Sequence, residues 1–259
     1  MINRREFALA ASVVAAAQGG GGAADKVANQ YLDLRWYMLR NSPGQQFQRT
    51  QDYLQAILPV LKDAGAKTVG IFTSVIGPDT PFLISLTAYP ALALVEEVRR
   101  RMEIDKTVAA ALRDMSRGSG PPFVRMEASL LRAFDGFPEA KAAAEPKAGR
   151  VFELRRYESD DLHTLADKIS MFNDGEIGVF QRLGMQPVFF GETLYGSKMP
   201  NLTYMLSFDD LAARDRLWHA FGADGEWKKM SAKPELQDER VVSNISNWIL
   251  RALPFSEIR

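Results

Sequence analysis

Tyr31-Leu-Asp-Leu-Arg-Trp-Tyr37 and Val151-Phe-Glu-Leu-Arg-Arg-Tyr157 are two versions of one segment, 120 positions apart. Each is rich in bulky side chains and alternates between two faces, the period of a β-strand. From the end of the helix that follows, the offset becomes 119 and holds. Val60 then matches Val179, Gly65 matches Gly184, Val69 matches Val188, and Gly77 matches Gly196. Further on, Tyr89 matches Phe208, Leu92-Ala93 matches Leu211-Ala212, and Leu130-Leu-Arg-Ala-Phe134 matches Ile249-Leu-Arg-Ala-Leu253. A register sustained from Val60 to Phe134 marks a duplication.

Working outward, each copy predicts the same order of elements. A helix over about 45–64 carries Phe47, Leu54, Ile57, Leu58 and Leu61 at helical spacing, with Gly65 placed to end it. Its counterpart runs from Leu162, Leu165, Ile169 and Phe172 through Ile177, Phe180 and Leu183 to Gly184. Two β-rich runs follow in each copy, 68–76 then 82–89, and 187–195 then 202–208. Gly77-Pro78-Asp79 and Gly196-Ser-Lys-Met-Pro200 break them. A second helix, about 91–115 and 209–221, and a last strand near 124–133 and 243–251 complete the unit. The order is βαββαβ twice, so the expected class is α+β: two tandem ferredoxin-like repeats, each with helices on one sheet face, forming a pseudo-dimeric α/β barrel. Residues 30–134 and 150–254 are the repeats, and 135–149, with Gly136, Pro138 and Pro146, is the linker.

The chain has 259 residues, of which 46% are hydrophobic, enough for a substantial core. Its 32 basic and 32 acidic side chains cancel, so it lacks the basic field that nucleic-acid binding normally requires. It contains no cysteine, which removes disulfides, thiolate nucleophiles and cysteine-based metal centres. Asn3-Arg4-Arg5-Glu6-Phe7 followed by the apolar run 8–17 reads as a twin-arginine export signal. That apolar run is too short to span a bilayer. Cleavage after Ala17 or Ala24 would leave a mature protein with no integral membrane span, placed in the periplasm.

The second copy carries a family resemblance. Phe152-Glu-Leu-Arg-Arg-Tyr157, Asn201-Leu-Thr-Tyr-Met-Leu-Ser-Phe208, the arginine-containing helix Asp209–Trp218 and Glu226-Trp227 resemble the NIPSNAP pattern. The first copy keeps Leu34-Arg35-x-Tyr37 and the Tyr89 strand but has no Trp matching Trp227. The resemblance covers roughly 30–254 and implies the dimeric α/β-barrel fold. It carries over no agreed catalytic residues. Related barrels include small monooxygenases and haem enzymes, but a shared fold does not transfer an activity.

Alternation sorts the first strands. Leu32, Leu34 and Trp36 share a face, as do Phe152, Leu154 and Arg156, and these sets are expected to pack on the helices. Asp33, Arg35 and Tyr37, with Glu153, Arg155 and Tyr157, then face the barrel interior. There they could bind an anionic or carbonyl-bearing ligand, or each Arg could pair with its neighbouring acid and seal the contact between sheets. Glu192, at the position of Thr73, is a further candidate, either as a buried base or as a partner for an Arg. The two histidines, His163 and His219, have no partner at metal-ligand spacing, so no cofactor is expected; haem ligation would need one of them to reach a cavity. Trp218, Phe221 and Trp227 read as core packing, and Arg99-Arg100-Arg101 as a solvated face. No Gly-x-Ser-x-Gly elbow is present.

These residues predict a protein that binds a small hydrophobic or anionic molecule between its two sheets. Two alternatives stand beside that reading. One is a cofactor-independent monooxygenase-like or haem-linked barrel oxidoreductase. The other is a scaffold that forms homo-oligomers through barrel edges.

Overall fold

In the computed structural model, which describes residues 27–41, 44–142, 145 and 147–259, both repeats fold as their patterns predict. The first comprises β1 (Tyr31–Met38), α1 (Gln46–Asp63), β2 (Thr68–Ile76), β3 (Phe82–Tyr89), α2 (Leu92–Ile104), α3 (Lys106–Ser116) and β4 (Arg125–Ala133). The second opens with β5 (Val151–Glu158), α4 (Leu162–Met171) and α5 (Ile177–Arg182), the two helices joined by a π turn at Phe172–Glu176. It continues with β6 (Gln186–Tyr195), β7 (Asn201–Phe208), α6 (Leu211–Ala223), α7 (Gly225–Ser231), α8 (Asp238–Val241) and β8 (Asn244–Ala252). The twin-arginine reading falls on residues outside those described.

Gly65 and Gly184 end the first helices at φ values of 108° and 84°, the left-handed region in which glycine carries no Cβ penalty. The second helix, expected as one piece over 91–115, is broken at Asp105. Its carboxylate accepts from the backbone N–H of Thr107 and Val108 and starts α3. Asp224, at the same place in the second repeat, accepts from Glu226 and Trp227 and starts α7 in the same way. The two caps are 119 residues apart, so the break is part of the duplicated unit.

Each repeat forms a four-stranded antiparallel sheet, ordered β4-β1-β3-β2 and β8-β5-β7-β6. The sheets join edge to edge through β2–β8 and β4–β6, closing a barrel of eight strands that leaves no strand edge unpaired. Helices cover the outside. Part of the segment expected as linker is itself packed, with Phe137 and Ala140 buried and Phe137 against Phe190.

The facing of the first strands is the reverse of the expectation. Leu32, Leu34, Trp36, Phe152 and Leu154 point into the barrel, where they join Phe72, Phe82, Phe189, Met205, Trp248 and Leu250 in one core. Asp33, Arg35 and Tyr37, with Glu153, Arg155 and Tyr157, point outward beneath the helices. The reason is steric and dielectric. An eight-stranded barrel is just wide enough for its own side chains, and here they are mostly apolar; Arg156, on the face of Phe152 and Leu154, is also buried, 5.6 Å over the Trp248 ring. The layer between sheet and helices opens to solvent at its margins, so a long Arg can lie on apolar surface while its head reaches water. A ligand site between the two sheets is thereby replaced by packed side chains.

Candidate functional site

The two outward acid–Arg–Tyr sets occupy matching places beneath matching helices, and they have diverged. In the second repeat Glu153 is fully buried. Its carboxylate accepts from Arg155 Nη1 at 3.0 Å, Arg214 Nε at 2.7 Å and Nη2 at 2.6 Å, Trp218 Nε1 at 2.6 Å and Asn247 Nδ2 at 2.7 Å. Burial alone would raise the pKa of Glu153, but the hydrogen bonds from Arg214 and Trp218 and the Arg155 charge outweigh it and hold the carboxyl below its ordinary value. Arg155 lies 4.7 Å over the Trp218 ring and donates to Tyr157 Oη at 3.2 Å, and the Tyr157 and Tyr204 hydroxyls are 2.8 Å apart. Phe172, Phe180, Phe190, Phe221 and Trp227 complete a packed aromatic layer. This is the sealed arrangement, with every charge partnered.

In the first repeat those partners are missing. At offset 119 Arg214 becomes Val95, Trp218 becomes Arg99, Tyr204 becomes Ser85, Phe221 becomes Met102, Asn247 becomes Ala128 and Trp227 becomes Val108. Strand register confirms the match: Arg155 lies between Tyr204 and Asn247, and Arg35 between Ser85 and Ala128. Loss of these four aromatic side chains opens a cleft of about 370 Å³ between β1–β3 and helices α1, α2 and α3. That volume lies within the range of small-molecule sites. Asp33, Arg35, Tyr37, Tyr53, Ser85, Thr87 and Tyr89 supply its polar groups. Leu54, Ile57, Leu61, Val95, Val98, Met102 and Val108 supply apolar wall.

Arg35 gives Nε and Nη2 to Asp33, at 3.0 and 2.6 Å, and among the described residues nothing hydrogen-bonds its Nη1. Burial works against the Arg35 charge, yet the Asp33 hydrogen bond and charge more than offset it, so the guanidinium stays charged. Burial, opposed in part by Arg35, pushes the Tyr37 phenol up to about 12. Tyr89 is also pushed up to about 12, again by burial with the Asp33 charge adding to it, and burial raises Tyr53 as well. Three neutral phenols and one guanidinium edge therefore present donors at neutral pH. Such groups orient an acceptor. They do not provide a base.

Of the candidate site residues, Asp33, Arg35 and Tyr37 line the cleft, and Glu153, Arg155 and Tyr157 form the sealed counterpart. Glu192 belongs to neither: it sits on the β4–β6 seam and pairs with Arg132 at 3.0 Å. His163 and His219 are exposed on outer helices, with side chains 76% and 79% accessible, and neither lines the cleft. Among the described residues no group of His, Asp and Glu is arranged to hold a metal ion, and no helix is long and apolar enough to cross a membrane. Arg99, Arg100 and Arg101 form the expected solvated face, pairing with Glu103, Glu97 and Asp105. Missed in the sequence were Tyr53, Ser85, Thr87 and Tyr89 as lining groups and Arg214, Trp218 and Asn247 as partners of Glu153. The substitutions between repeats at offset 119 are the signal that points to most of them.

A closed eight-stranded barrel made of two ferredoxin-like repeats defines a dimeric-barrel protein whose two subunits are fused in one chain. The NIPSNAP family profile matches residues 32–135 and again 152–257, and the chain belongs to the NIPSNAP family, with two copies of its domain. No curated protein sequence matches the chain. Among solved structures, a Fusobacterium nucleatum protein named "Putative monooxygenase" is similar over 87% of this chain and 93% of its own, at 9% identity and a TM-score of 0.59. A protein of the same description from Lactobacillus acidophilus is similar over 86% of this chain and 94% of its own, at 9% identity and a TM-score of 0.51. An uncharacterized NIPSNAP-like domain protein from Burkholderia xenovorans matches 42% of this chain and 89% of its own, at 18% identity and a TM-score of 0.38. At 9% identity, the likeness to the first two is one of fold.

Proposed function

We propose that the first repeat binds one small, largely apolar molecule in the cleft beneath its helices, and that the second repeat is its structural counterpart. The observation that carries this is the divergence of two equivalent sites: one filled by Tyr204, Trp218, Phe221 and Trp227, the other emptied at the same four positions while Asp33, Arg35 and Tyr37 persist. The ionic side chains lining the cleft are Asp33, Arg35, Arg99 and Glu103, two of each sign, so a neutral ligand fits better than an anion. The Nη1 edge of Arg35 and the phenols would receive a carbonyl or ether oxygen, with the apolar body against Leu54, Ile57 and Val98. The twin-arginine pattern at Arg4-Arg5 adds to the proposal that this binding takes place outside the cytoplasm.

Prodan, a neutral naphthyl ketone whose fluorescence reports its surroundings, tests the reading. It is expected to bind the wild type with blue-shifted emission. Arg35→Lys keeps the charge beside Asp33 but loses the guanidinium fork, and should weaken binding about tenfold, the worth of one charge-assisted hydrogen bond. Arg155→Lys should leave prodan affinity unchanged. Equal loss in both variants, or in neither, overturns the assignment to the first repeat.

A further inference from the structure

A second contrast between equivalent places lies on the two seams that close the barrel. On the β4–β6 seam Arg132 faces Glu192 across the strands and pairs with it. On the β2–β8 seam the matching Arg251 faces Thr73, and among the described residues no acidic side chain pairs with it. Next to it Gln30 of the first repeat has become Arg150. Gln30 is satisfied by the chain, its Oε1 accepting from the Ala140 N–H at 2.9 Å. The Arg150 side chain is 4% accessible, gives Nη1 to Gln186 at 3.1 Å and approaches Asp209 at 3.7 Å, but its buried Nε has no partner. Arg150 and Arg251 line a groove of about 230 Å³ with Lys147 and Arg259, with Ala252 and Leu253 as its apolar wall. Asp209, which pairs with Lys147 at 2.7 Å, is the one acidic side chain among the described residues bonded to this set.

Four cations with one carboxylate, converging on an apolar wall, form an uncompensated field at a place where the other seam is neutralised. We propose that this groove is a binding site for an organic oxyanion, a phosphate monoester or carboxylate on a short apolar body. Arg150 and Arg251 hold the head, and Ala252 and Leu253 meet the body. Arginine suits the role because its planar fork matches oxyanion geometry. The site is separate from the cleft of the first repeat and stands or falls independently of it.

The test is calorimetric titration of the full chain with phenyl phosphate and with benzoate, which separates the two head groups. Binding in the micromolar to low millimolar range that weakens as salt rises is expected for at least one of them. Thr73→Glu supplies Arg251 with the carboxylate that Arg132 already has, and should weaken that binding at least about tenfold. The double variant Arg251→Gln/Arg259→Gln, at two exposed positions, should do the same. Both should leave the melting temperature and prodan affinity unchanged. Absence of heat with either probe at millimolar concentration, or wild-type affinity in both variants, overturns the proposal.

Discussion

Refilling the cleft of the first repeat with the second repeat's own side chains perturbs the proposed site with rings the fold already accommodates. The substitutions are Ser85→Tyr, Arg99→Trp and Met102→Phe, copying Tyr204, Trp218 and Phe221. In the second repeat Phe180 stacks on Phe221 at 4.8 Å and on Tyr204 at 6.2 Å, so the rings suit this layer geometrically. An aromatic ring entering the cleft buries on the order of 150 Å², worth about 4 kcal/mol at 25 cal/mol per Å². Lost side-chain freedom takes back about 1 kcal/mol. Strain against Leu61, Ile71 and Val108, which stand where Phe180, Phe190 and Trp227 do, takes back about 1–3 kcal/mol. The net effect per ring is between zero and about 2 kcal/mol of stabilisation, a melting temperature unchanged or raised by a few degrees. Prodan affinity should fall by at least about a hundredfold because the ligand's volume is gone, an apolar contact loss of roughly 3 kcal/mol or more. Calorimetric melting and the fluorescence titration read the two quantities separately. Retained prodan affinity in a variant that melts at or above the wild-type temperature would refute the cleft as the binding site. Ser85→Tyr alone is the smaller version of the experiment, and it should already block the Arg35 edge across the strand pair.

Three further outcomes follow from the same geometry. Glu153→Gln leaves Arg155 and Arg214 facing a neutral amide and should cost about 3 kcal/mol, a fall of roughly 6–12 °C in melting temperature. Because the Glu153 pKa is lower in the folded state, its contribution is present above the ordinary carboxylate range and lost as pH falls through the folded value. The variant's melting temperature should accordingly fall less steeply than the wild type's as the solution is acidified. Lys168, 1% accessible and bonded to Glu176 at 3.3 Å and Asp238 at 3.4 Å, is held charged above its ordinary value by those two carboxylates against the cost of burial. Lys168→Met should destabilise by about 3 kcal/mol, and Lys168→Met/Glu176→Gln should recover a large part of that in a double-mutant cycle; additive losses would contradict the pairing. Prodan affinity should be level from about pH 6 to pH 9, since the Tyr37 and Tyr89 phenols, both raised to about 12, remain donors throughout. A fall centred near pH 7 would assign the site a titrating base that the geometry lacks.

The repeat at offset 119, the strand alternation of 31–37 and 151–157 and the terminal glycines 65 and 184 made the architecture legible, because periodicity and turn chemistry are local properties. Which face of β1 lies inward was not legible. Both faces are buried, and alternation reports only that Leu32 and Asp33 point opposite ways. The break at Asp105 had a sequence signal, an Asp before Lys106-Thr107, which an unbroken helical period concealed. The π turn at Phe172–Glu176 left no such mark, since a single inserted residue only delays the apolar spacing. The site was half legible: the acid–Arg–Tyr sets stood out, while their partners Arg214, Trp218 and Asn247 come from other elements and depend on tertiary placement. Glu192 stood out equally, but it is explained by its cross-strand neighbour Arg132, which only the strand register reveals.

Native mass spectrometry of the protein and of Ser85→Tyr, both purified gently from an export-competent host, tests the central claim most directly. The account predicts one small-molecule adduct per chain in the wild type, neutral by its mass shift across charge states, and none in Ser85→Tyr. An adduct of equal occupancy in both proteins would contradict it.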